Sequence, residues 1–68
     1  MTEYFTGIPV NHTQTEFERS LAEAKRKRDL FLENNRSIIA RLDSEDLVFA
    51  PYGNGIIVPI IKLSYYKK

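Results

Sequence analysis

Residues 15–42 run without a glycine or a proline, and no other stretch limits the folding of this chain as strongly. Apolar residues recur within it at Phe17, Leu21, Ala24, Phe31, Ile38 and Leu42. That three-to-four spacing lays one stripe along a helix. Leu32 and Ile39 widen the stripe, while Arg28 and Asn35 occupy two of its inner positions. The start is marked twice, by Thr13 with Glu16 and by Thr15 with Glu18. In each pair the threonine hydroxyl can accept a first-turn N–H while the glutamate reaches back. Glu16 and Glu18 suit the positive end of the helix dipole, and Arg36 and Arg41 the negative end. The expectation is one continuous amphipathic helix from Thr15 to Leu42. A break at Asn34-Asn35 is the alternative, since asparagine is a poor helix former.

Such a helix is long for its chain. At 1.5 Å per residue it spans about 42 Å, whereas a compact chain of this size is only about 28 Å across. A continuous helix would carry Phe31, Ile38 and Leu42 beyond its own domain. Sixty-eight residues make one small domain, 1–68, with a marginal core. Cysteine is absent and there is one histidine, so neither disulfides nor a zinc site are available as staples. Small domains without staples often associate instead.

The helix divides a lead-in, residues 1–14, from a hairpin, residues 46–66. Glu3-Tyr4-Phe5-Thr6 suits a short strand that Gly7 and Pro9 then limit. Downstream, Leu47–Pro51 and the run from Ile56 read as two strands joined through Asn54-Gly55. Asn-Gly is the strongest short hairpin signal, because a type I′ turn needs positive φ at both central residues. The fold class is therefore α+β, in the order β-α-β-β, with the helix packed on one face of an antiparallel sheet. If Asn54 and Gly55 alone form the loop, Ala50 faces Pro59 and Phe49 faces Ile60. Leu47, Phe49, Val58 and Ile60 then share one face, and Val48, Ala50, Ile57, Ile61, Leu63 and Tyr65 the other. A one-residue register change reshuffles those pairs but leaves both faces apolar. Pro59 suggests a bulge or an edge strand. One helix covers one face, so the second needs another partner.

The residues with chemistry to offer are few. His12 is a loop imidazole with no partner constellation beside it. Lys25-Arg26-Lys27-Arg28 reads either as a phosphate-contacting segment or as a solvated helix surface. Four consecutive helical residues spread around the axis and share no single face. Lys62, Tyr65, Tyr66, Lys67 and Lys68 interleave aromatic rings with cations, as base-stacking strips do; the other reading is an edge strand whose lysines block aggregation. Net charge is +1, which supplies no global attraction to nucleic acid. There is no Gly-rich phosphate loop, nucleophile elbow or paired-histidine motif in the sequence. No cofactor or metal is implied, and catalysis is not expected.

No apolar run approaches a membrane span, and the first residues lack a signal-peptide layout, so a cytoplasmic location is expected. In its length and missing catalytic set the chain looks like the small accessory proteins of phages and mobile elements, which inhibit or redirect a host factor by binding it. The leading expectation is a non-enzymatic homodimer, or a higher oligomer, that docks on a macromolecule, a protein in preference to a nucleic acid. Its interface residues would be Phe31, Asn35, Ile38, Leu42, Phe49, Val58 and Ile60. The alternative is a nucleic-acid binder using Lys25, Arg26, Lys27, Arg28, Lys62, Tyr66, Lys67 and Lys68. A third reading holds a small anionic ligand, such as a nucleotide, at a subunit interface near Tyr52 or Tyr66.

Overall fold

The computed structural model describes residues 1–11 and 13–68; the single histidine, His12, lies outside the described residues. The elements are β1 (Thr2–Thr6), β2 (Val10–Asn11), α1 (Gln14–Asn34), β3 (Ile39–Gly53) and β4 (Ile56–Lys67). All strands pair antiparallel with β4. This is the expected α+β architecture, with the two-residue β2 added.

The helix begins at the first of the two marked starts. Thr13 is extended (φ −102°, ψ 144°), and its hydroxyl accepts the Glu16 N–H at 3.4 Å. Glu16 reaches back past the cap to the Asn11 N–H at 3.2 Å, which ties the helix start to β2. The helix ends at Asn34, not at Leu42. Both the main-chain N–H of Asn35 (3.0 Å) and its side-chain amide (2.8 Å) bond to the Phe31 carbonyl. A turn follows through Ile38, and the β-branched Ile39 begins the next strand instead of another helical turn. Twenty-one helical residues span about 31 Å. The helix is thus not overlong. The long dimension of the molecule, 42 Å against 16 and 13 Å, follows the hairpin.

The hairpin turn is the expected one. Asn54 (φ 51°) and Gly55 (φ 75°) are both left-handed, and Gly53 pairs with Ile56. The ladder beyond is displaced by one residue from the simple count, because Tyr52 is an extra residue between the pairs Pro51–Ile57 and Gly53–Ile56. Gly53, at φ 100°, supplies the backbone that this bulge needs. Ala50 consequently faces Val58, Phe49 faces Pro59 and Val48 faces Ile60. Two further register shifts fall at Ile39/Arg41 and Leu42/Ser44. Every extra residue is on β3, which needs fifteen residues to follow the twelve of β4.

Pro59 is in the central strand, contrary to the expectation of a bulge or an edge. Its place is tolerated because β1 and β2 share one edge of β4 and leave a gap between them. β1 pairs with residues 60–64 and β2 with 56–57. Pro59 sits at that gap, where its missing N–H forfeits no ladder bond and its carbonyl accepts from Gly7 N at 2.8 Å.

The core lies between α1 and the β1–β4 pair. Phe5, Ala24, Ile61 and Leu63 are buried together, with Leu21, Phe31 and Leu32 packed against them. Phe31 is 5.4 Å from the Phe5 ring and 5.7 Å from the Tyr65 ring, both tilted. The small residues Ser20 and Ala24, fully buried, bring the helix close to the sheet. Ser20 Oγ accepts the Ile8 N–H and donates to the Ile8 carbonyl, both at 2.7 Å. A Cβ on Gly7 would run into the Ser20 hydroxyl and main-chain oxygen.

Candidate functional site: an uncovered sheet face and a free strand

Residues directly opposite in an antiparallel ladder point to the same side. The core residues Phe5, Ile61 and Leu63 therefore place Leu47, Phe49 and Pro59 on the helix side as well. The other side carries Tyr4, Thr6, Val48, Ala50, Val58 and Ile60. No helix covers that side among the described residues. Tyr4 is 61% exposed and Val48 46%; Ala50 and Ile60 are half-buried and Val58 is buried. Apolar residues thus occur on both faces, but the register shift exchanges Leu47 and Phe49 with Val48 and Ala50 relative to the simple count. Further along the open face, Asp46 opposes Lys62 and Ser44 opposes Ser64. At the far end the Arg41 guanidinium lies 4.5 Å from the centroid of the Tyr66 ring. The open face is apolar toward the turn and polar or cationic toward the chain terminus.

The expected interface residues do not form one surface. Phe31 belongs to the core of its own chain, and Asn35 closes the helix. Phe31 is engaged because its ring packs on Phe5 and Tyr65, and Asn35 because its amide bonds the Phe31 carbonyl. Ile38 and Leu42 are exposed near the end of the helix, where Leu42 borders a groove with Leu32, Arg36 and Ile39. Phe49 is exposed on one side but stacks against Phe17 on the other, ring centres 5.4 Å apart. These two rings, with Thr13, Gln14 and Ile57, line an apolar groove of 510 Å³. Val58 and Ile60 are on the opposite face of the sheet.

The basic run is largely engaged within the molecule. Arg26 makes two bonds to the Glu23 carboxylate, which holds that carboxyl below the usual carboxylate range. Lys27 Nζ donates to the Thr6 carbonyl at 2.8 Å. Arg28 leaves the stripe to bond Glu45 of β3 and Asp29, and the Glu45 contact, ahead of Asp29, strengthens its hold on the proton. Lys25 borders a cleft with Glu45 and Asp46. The other cations of the nucleic-acid reading are elsewhere: Lys62 and Tyr66 face away from the helix, and Lys67 and Lys68 end the hairpin. One chain therefore presents two separate basic regions, on opposite sides of the sheet. Tyr52 and Tyr66 likewise lie at opposite ends of the hairpin, so a single chain does not bring them around one ligand.

What the sequence did not single out is the edge of β3. None of its fifteen residues is buried, and among the described residues no strand pairs with its outer side. The signal was present in Leu47-Val48-Phe49-Ala50, an uncharged run between acidic residues and Pro51. Among the described residues no helix is long and apolar enough to cross a membrane, and no group of His, Cys, Asp and Glu could hold a metal ion. No family model, no curated protein and no solved structure matches this chain.

Proposed function

We propose that the chain is a non-enzymatic binding protein that works as a homodimer and acts stoichiometrically on a macromolecular partner, a protein in preference to a nucleic acid, as an inhibitor or adaptor. The observation that carries this reading is the uncovered sheet face, where exposed Tyr4 and Val48 adjoin half-buried Ala50 and Ile60. A contiguous apolar surface of this kind is a recurrent mark of an interaction site. The pairing of Arg26 and Arg28 with carboxylates favours protein over nucleic acid, because cations already neutralised within the chain displace fewer counterions from phosphates.

Sedimentation at micromolar concentration tests the dimer: two-chain particles are expected, and a stable monomer removes that part of the reading. Affinity capture with the native chain, run beside Tyr4→Thr, tests the face. The same partner should be retained by the native chain and lost by the variant; equal retention counts against the open face.

The second reading, nucleic-acid binding, draws on Lys62, Arg41 and Tyr66 along the open face. A gel shift at low salt, where phosphate contacts are strongest, decides it. Absence of any shift with DNA or RNA disposes of it.

A further inference from the structure

The free edge of β3 has a self-complementary stretch, and the direction of its polar groups follows from the ladder. Pro59 turns its carbonyl toward Gly7, and Tyr65 its N–H toward Met1. The odd-numbered residues of β4 thus bond on the β1 side. Their opposites on β3, including Leu47 and Phe49, form the non-hydrogen-bonded pairs. Leu47 and Phe49 therefore point their own N–H and C=O groups outward.

Most of this edge is guarded against pairing. Asp43, Glu45 and Asp46 charge its first half, and Pro51 turns a nitrogen without hydrogen outward. Bulges interrupt both ends. These are the usual protections of an exposed strand. Between them Leu47, Val48 and Phe49 are uncharged, in unbroken register, and 44%, 46% and 49% exposed.

The geometry points to a second copy of this chain as the occupant, its β3 antiparallel to the first across a two-fold axis at Val48. This deepens the homodimer reading and rests on it. In that register Leu47 of each copy faces Phe49 of the other, and outward-pointing groups meet in two hydrogen-bonded pairs. Asp46 falls opposite Ala50. The two Asp46 side chains are then about 13 Å apart at 3.3 Å per residue, beyond the screening length of about 8 Å at physiological salt. The neighbouring registers are poorer. An axis at Leu47 sets Asp46 against Val48 and brings the two acidic segments together; an axis at Phe49 sets Leu47 against Pro51, which has no N–H to donate, whereas the axis at Val48 leaves Pro51 to Glu45 at the ends of the joint. Pairing at Val48 joins two four-stranded sheets into one of eight strands, with both helices on one side. The two open faces become one continuous surface, and each Leu47 adds to the partner's Phe17–Phe49 groove.

The chain contains no cysteine, so a single engineered thiol reports the joint directly. Val48 bonds inward to β4, and its symmetric pair is a non-hydrogen-bonded one, with Cα atoms about 4.5 Å apart, within disulfide range. Val48→Cys is expected to become mostly disulfide-linked dimer under mild oxidation, and Ala50→Cys only in trace amount. Sedimentation of the native chain runs alongside. A dimer in which Val48→Cys links no faster than Ala50→Cys overturns the β3 joint and leaves the homodimer standing. A native monomer overturns both.

Discussion

β3 and β4 are two strands of one hairpin, paired along their whole length, yet they do opposite work. β4 contributes Pro59, Ile61, Leu63 and Tyr65 to the helix side and buries Val58 on the other, whereas no residue of β3 is buried. β4 is bonded on both edges and β3 on one. Central strands must satisfy every N–H and C=O and fill both sides, so their residues answer to the fold. β3 is freer of those demands. Its length, its bulges and its uncharged middle are therefore informative about what the molecule meets outside itself.

The contrast predicts a ranked set of effects. Leu63→Ala, in the core strand, should cost about 2–5 kcal/mol through lost burial and the cavity left behind, read from the urea midpoint. A loss below about 1 kcal/mol there would contradict the role given to β4. Ser20→Ala comes next. It strips two part-buried bonds from the Ile8 main chain, each contributing about 0.5–1.5 kcal/mol; the same urea titration measures it. Val48→Thr, on the strand with no buried residue, should stay within about 0.5 kcal/mol of the native chain while weakening association in sedimentation. A large stability loss from Val48→Thr in monomeric protein would erase the distinction between the strands.

The smallest effect is electrostatic. The Arg26 guanidinium holds the Glu23 carboxyl below its ordinary range, so this pair stabilises the fold above that range. Its contribution fades as pH falls through the lowered midpoint. Arg26→Ala should raise the Glu23 midpoint, measured by NMR titration of the carboxyl carbon, with little change in unfolding. An unmoved midpoint would show that the pair does not persist in solution.

The parts legible in the sequence are those decided by neighbours a few residues apart. Thr13 with Glu16 marks a helix start, and Asn54-Gly55 marks a type I′ turn, through local hydrogen bonding and φ alone. The unread parts were decided at a distance. Ile39 and Leu42 continue the helical spacing of Phe31 and Ile38, but Lys67 and Tyr65 of β4 claim them as strand partners. Pro59 reads as an edge residue until the gap between β1 and β2 is known. The displaced register depends on Gly53 adopting positive φ, which permits a bulge without requiring one. Of the candidate site, the presence of apolar residues on both faces was legible. The membership of each face was not, because one extra residue, Tyr52, inverts it.

One consequence concerns the order in which the protein is made. β4 follows β1, β2 and β3 in the sequence and is the middle of the sheet, so all three wait for a partner that is translated after them. The Tyr65 N–H that bonds Met1 closes almost the whole sequence into a single loop, and topologies built on such distant pairings fold slowly. Until β4 emerges the nascent chain has a helix with nothing to lie on and a strand, Leu47–Ala50, bare on both edges. Synthesis of β4 is thus the step that completes the sheet, and the same uncharged stretch that suits docking is the one a chaperone would first need to shield.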